Sequence, residues 1–99
     1  MKLAQVVGRV FCARQCCGMD AKTLLLLEPL NWDDGKNAGE LLVAADCAGA
    51  GHKEKVFYVQ SREAVTAFRG YSGETADGET SPPVDAAIVG IVDNWSTKL

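Results

Sequence analysis

No block of basic residues occurs in this sequence, and that absence already limits what the chain can do. Its 10 Lys and Arg are outnumbered by 13 Asp and Glu, for a net charge of −3. Nucleic-acid binding draws on a positive footprint that displaces counterions from phosphates, and attraction to anionic lipid needs a similar one. Neither is present. No apolar stretch approaches the roughly 18 residues that cross a bilayer as a helix. Met1 and Lys2 lead into a short apolar run broken by Gln5 and Arg9, unlike a secretory signal. The expected location is therefore the cytoplasm, with no membrane partner. There the four cysteines, Cys12, Cys16, Cys17 and Cys47, are expected to be reduced.

Metal-binding and catalytic patterns are missing too. Zinc sites use four ligands and commonly begin C-x₂₋₄-C. This chain offers Cys12, Cys16 and Cys17 without a matching second pair, and adjacent cysteines rarely ligate one ion together. Cys12 is expected to pack as a small hydrophobe with Val6 and Val10. Cys16 and Cys17 are read as loop residues without chemistry. His52 is the only histidine. Asp46 and Glu54 lie near it in sequence, but no nucleophile is marked, so a solvent-facing or interface position is expected. Gly49-Ala50-Gly51 matches neither a Walker loop nor a dinucleotide fingerprint. It reads as a tight turn that needs positive φ or close packing, with an interface or pore rim as a special case. Asp46, Asp85 and Asp93 fall at strand ends, where aspartate commonly accepts backbone N–H bonds. No catalytic, cofactor-binding or metal-binding residue is assigned.

What the chain does have is apolar content. It is 47% hydrophobic and only 23% charged over 99 residues. That excludes disorder and fits one domain spanning 1–99. A domain of this size buries only about 60–65% of its unfolded surface, so surplus apolar area points to an interface. Alternating apolar residues predict a strand over 3–12, with Gly8 marking a bulge or a close backbone approach. Val6, Val10 and Cys12 are expected on one face, with Val7, Arg9 and Phe11 on the other. The run 23–28 reads as a short buried strand closed by Pro29. The turn Asp33-Asp34-Gly35-Lys36-Asn37 then joins 23–30 to 40–46 in a hairpin. Residues 55–60 and 84–92 complete the set. Ser61 is expected to cap a short helix over 62–69, and 70–83 reads as a polar loop. The expected fold class is mainly β, a small five-stranded barrel of the oligonucleotide-binding type with one short helix.

Four segments carry a family resemblance: MKLAQVVGRVFCARQ at the start, LLLLEPLN at 24–31, LLVAADCAGAG at 41–51 and PVDAAIVGIVD at 83–93. Together, in this order, they resemble the pentameric vertex proteins of bacterial microcompartments, the shells of carboxysomes and of ethanolamine- and propanediol-type metabolosomes. The resemblance implies a structural protein, not an enzyme, without cofactors. It implies a homopentamer at a shell vertex, surrounded by hexameric facet proteins. It places Gly49, Ala50 and Gly51 in a tight loop near the five-fold axis, with His52 beside it. Lys53 stands where the family commonly has glycine. The alternative reading is a nucleic-acid-binding module of the same barrel type. It is motivated by the architecture and by Phe57 and Tyr58, and opposed by the acidic charge balance.

Overall fold

Two-residue periodicity dictates most of the architecture, and a bulge and a proline account for the departures. The computed structural model describes residues 1–14, 22–61, 64 and 84–97. The helix expected over 62–69 and the loop over 70–83 lie outside the described residues, except for Ala64, which is fully buried. Five strands form: β1 (Lys2–Val10), β2 (Leu24–Leu30), β3 (Leu42–Asp46), β4 (Lys55–Gln60) and β5 (Ala86–Ile91). They close into a barrel in the order β1-β2-β3-β5-β4, with β1 pairing to β4. The β3–β5 pair is parallel, while β1–β2, β1–β4, β2–β3 and β4–β5 are antiparallel. This is the mainly β barrel expected from the sequence.

The interior is packed by alternate residues of each strand. Val6, Leu27, Val56 and Ile88 are no more than 1% exposed. Each contributes about 1.5–3 kcal/mol of burial. Small residues such as Ala4, Ala44 and Ala86 share that core, which lets a narrow barrel close without voids. Tyr58 is also buried in it, and Phe57 is half-buried on the outside. Both serve packing rather than base stacking.

The bulge at Gly8 redirects one expected face. Val6 pairs with Leu27, but Gly8 pairs with Leu26, so Val7 is the extra residue. One added residue moves everything after it to the opposite side. Val6 therefore faces the core with Leu27, while Val10 pairs with Leu24 on the exterior. The strand ends at Val10 rather than at residue 12. Cys12 is exposed rather than packed as a small hydrophobe. Arg9 instead lies 5.1 Å over the ring of Phe11, and Phe11 is 80% exposed.

Strand β2 runs through Pro29 to Leu30 instead of closing before it. Pro29 sits opposite Ala4, and its carbonyl accepts a 2.8 Å bond from the Ala38 N–H. Proline lacks an N–H, so it is tolerated where the ladder needs no donor. The predicted turn follows. Gly35 adopts φ +71° and donates to the Asn31 carbonyl at 2.9 Å, while Lys36 N–H is held by the Asp34 carboxylate at 2.9 Å. The last predicted strand, 84–92, is shorter as formed. Ile91 is 38% exposed at the end of β5, whereas Ala86, Ala87 and Ile88 are buried.

Candidate functional site

The segment 46–54 is a hydrogen-bonded loop whose centre, Ala48-Gly49-Ala50-Gly51, has almost no side-chain bulk. β3 delivers Asp46 to the end of the barrel, and its carboxylate accepts three backbone N–H bonds. One oxygen takes Ala48 at 2.9 Å and Gly49 at 3.0 Å, and the other takes Ala50 at 3.0 Å. An aspartate that satisfies consecutive amides in this way replaces a turn of backbone hydrogen bonding. The expected role of a strand-end aspartate is met at this position. Gly49 adopts φ +80°, where an L side chain is disfavoured. Glu54 closes the other end, its carboxylate receiving Gly51 N–H at 2.5 Å.

Gly49 carries the positive φ of this turn, and Gly51 does not. A Cβ added at Gly51 would meet only the Glu54 carboxylate, its oxygen at 3.4 Å. The backbone demand of this loop falls on Gly49 and on Lys53, which is left-handed at φ +70°. Lys53 holds that conformation because β1 grips both sides of it. Its N–H donates to the Val6 carbonyl at 2.8 Å, and its carbonyl accepts Gln5 Nε2 at 3.0 Å. Val6 N–H also donates to the Glu54 carbonyl at 2.9 Å.

Ala50 is half-buried and packs against the core, while Gly49, Gly51 and His52 are exposed. Ala50, Gly51 and His52 line a cleft of ≈ 250 Å³ with Arg9, Thr23 and Leu25. The loop thus brings the predicted Gly49, Ala50, Gly51 and His52 together at one mouth of the barrel. Cys47 sits beside it, exposed, its N–H on the Ile88 carbonyl at 3.1 Å. Partial burial pushes its thiol pKa up, the negative charge of Asp46 adds to that, and Lys22 opposes both. That environment makes a poor nucleophile. Among the described residues, no group of His, Cys, Asp and Glu could hold a metal ion. Among them also, no helix is long and apolar enough to cross a membrane.

A second feature lies on the barrel wall, where the pairing of β2 with β3 sets which side chains face outward. Leu25 and Ala44 face the core, so their neighbours face outward. One outward row, Gly8–Leu26–Val43, crosses three strands, with Leu24 beside it on β2; Ala45, opposite Leu24 on β3, is only 1% exposed. Val43 is 42% exposed and Leu41, just before β3, is 53% exposed. In barrels of the oligonucleotide-binding type, the face of strands 2 and 3 is the ligand-binding one. Here it is aliphatic and carries no cation to meet phosphate.

Comparison with known proteins relates the chain to one group. The model of a family described as ethanolamine utilisation protein EutN/carboxysome matches residues 1–93. The microcompartment shell vertex protein EutN of Escherichia coli is 37% identical over 93 residues, which are 94% of this chain and 87% of that protein. The carboxysome shell vertex protein CcmL of Thermosynechococcus vestitus is 32% identical over 96 residues, covering 97% and 87%. Among solved structures, the GrpN pentameric microcompartment shell protein of Rhodospirillum rubrum superposes with a TM-score of 0.78 at 27% identity, covering 98% of each chain.

Proposed function

This chain belongs to the ethanolamine utilisation protein EutN/carboxysome family, and we propose on that premise that it is a structural shell protein whose copies close into a pentamer at the vertices of a bacterial microcompartment. Its place is then in a protein shell within the cytoplasm. Hexameric facet proteins are its proposed neighbours there. It runs no reaction of its own.

The observation that carries this reading is the aliphatic outer face of β1–β3. Val43 and Leu41 are apolar and open to solvent, beside the half-buried Leu24 and Leu26. A monomer gains nothing from that arrangement, whereas a neighbouring copy seated on it removes the apolar area from water. A ring reuses one such heterologous contact around its axis and leaves no unfilled site. The short, small-residue loop Gly49–Ala50–Gly51 with His52 fits a place near the ring axis, where five copies converge and side-chain volume is costly. The Asp46 carboxylate keeps that loop in one conformation, so each copy presents the same rim.

Native mass spectrometry is the direct test, and a pentamer is expected. A clean monomer, dimer or hexamer at micromolar protein overturns the reading. Val43→Asp places a charge in the proposed contact and is expected to shift pentamer toward monomer while the barrel stays folded by circular dichroism.

A further inference from the structure

The two ends of the β1–β2 pair hold different openings. The cleft beside the 46–54 loop lies toward the Val10–Leu24 end. At the Leu3–Leu30 end a groove of ≈ 380 Å³ opens, walled by Leu3, Pro29, Leu30, Trp32, Ala38 and Tyr58. Two of these walls are aromatic, no carboxylate lines the groove, and Lys2 at its edge is exposed. Its volume falls in the range of about 300–1,000 Å³ usual for ligand sites.

One polar group in this groove has no partner. Tyr58 is 2% exposed, with its ring in the core cluster. Among the described residues its hydroxyl makes no hydrogen bond. No side-chain oxygen or nitrogen sealed inside the barrel is left unsatisfied among them, so the Tyr58 oxygen meets the groove that its residue lines. Burial pushes the phenol pKa up, which keeps the hydroxyl protonated and able to donate at neutral pH. The backbone acceptors of the same wall are taken. The Pro29 carbonyl holds Ala38 N–H at 2.8 Å, the Asn31 carbonyl holds Gly35 N–H at 2.9 Å, and the Trp32 carbonyl holds Trp95 Nε1–H at 2.7 Å.

We propose that this groove binds an extended, proline-rich peptide segment of a partner protein, with proline rings against Trp32 and Leu30 and a backbone carbonyl accepting from the Tyr58 hydroxyl. Proline fits both sides of that lining. It has no N–H, so it asks for no acceptor. A polyproline II segment makes no internal hydrogen bonds and leaves its carbonyls free to accept. An ordinary extended peptide would bring N–H groups to a wall whose carbonyls are occupied, at a cost in desolvation. The polyproline II helix is also formed before binding, so little chain entropy opposes docking in an aromatic-lined groove. The groove lies at the opposite end of the strand pair from the 46–54 loop, and its use does not depend on the ring.

The full-length protein in its native assembly is titrated by calorimetry with a blocked peptide of about ten prolines, which spans roughly three turns of polyproline II. Saturable binding is expected, and a Gly-Ser peptide of equal length is expected not to bind. Tyr58→Phe keeps the ring and removes the hydroxyl. It should weaken binding about three- to tenfold, the worth of one hydrogen bond, and leave the melting temperature unchanged, because no partner in the fold is lost. Trp32→Ala should abolish binding, with the barrel verified by circular dichroism. No saturable binding at millimolar peptide overturns the proposal, as does equal affinity for the Gly-Ser peptide. Full affinity in Tyr58→Phe overturns it too, and so does a lowered melting temperature there, since the hydroxyl then has a partner within the fold. Native mass spectrometry of the same sample reads the oligomeric state separately.

Discussion

Gly90 is the position where one added methyl should do the most visible damage. It lies on β5 directly opposite Phe57 of β4, on the outer face of the barrel. A Cβ built on Gly90 would overlap the Phe57 ring. The backbone itself is not the obstacle, because Gly90 is not left-handed. Two terms then oppose each other. Overpacking costs about 1–3 kcal/mol, while replacing a strand glycine with alanine recovers about 0.5–1 kcal/mol of chain entropy. The net loss for Gly90→Ala is at most about 2.5 kcal/mol. For a domain of this size, at about 4–8 °C per kcal/mol, the melting temperature should fall by at most about 20 °C. The upper limit is set by Phe57, which is half-buried and could turn outward at the expense of its own burial. A double-mutant cycle isolates the contact. Phe57→Ala alone should destabilise, but in its background Gly90→Ala should be neutral or stabilising, because the ring that clashes is gone. Equal melting losses from Gly90→Ala in both backgrounds would refute the argument.

The 46–54 loop supplies the next three predictions. Lys53→Gly removes a left-handed lysine and is expected to stabilise by about 1 kcal/mol, read as a higher urea midpoint at constant slope. Gly49→Val should lower both melting temperature and pentamer yield, whereas Gly51→Ala should leave the melting temperature unchanged; equal effects would remove the assignment of backbone strain to Gly49. Cys47, left as the only thiol by Cys12→Ser, Cys16→Ser and Cys17→Ser, should react slowly with maleimide at neutral pH. Its raised pKa leaves less thiolate there, so the rate profile is displaced to higher pH, and Asp46→Asn should bring it back down. In the core, Ile88→Ala is expected to cost about 2–5 kcal/mol, since Ile88 is 0% exposed.

Local chemistry was readable in advance, and long-range contact was not. The β2–β3 turn was legible because Asp34, Gly35 and Asn37 announce it within a few residues. Strand β4 was read at its observed bounds, Lys55–Gln60, since KVFYVQ alternates cleanly. Gly8 also gave away its bulge, yet the consequence for Val10 and Cys12 did not follow from it. Parity after a bulge depends on which of two residues goes unpaired, and only the partner strand decides that. The aspartate staple was half-visible: Asp46 looked like an acceptor, but its three donors depend on the path of 48–50. The hydrogen bond from the Trp95 indole to the Trp32 carbonyl left no trace, because a contact across 63 residues imposes no periodicity on either end. Gly90 was likewise hidden, since its reason for being glycine is a ring on another strand.

In the proposed ring, the loop and the wall would place complementary demands on assembly. An aliphatic wall is forgiving: burying Leu41 and Val43 rewards many orientations, because the hydrophobic term is proportional to area and has no direction. Left alone, such a surface would permit open, non-closing contacts between copies, which is the route to fibres rather than rings. The angle between neighbours must be set by something stiff, and the hydrogen-bonded 46–54 loop is such an element among the described residues. There one carboxylate holds three amides, a second holds Gly51, and β1 clamps Lys53 from both sides. Stiffness also explains why Lys53 tolerates a strained φ. These six backbone and side-chain bonds over-determine the loop, and a conformational penalty of about 1 kcal/mol is then borne by the set rather than by one residue. On this argument affinity resides in β1–β3 and geometry in the loop. Loosening the loop should therefore produce wrong-sized assemblies, whereas polar substitution of the wall should produce monomers.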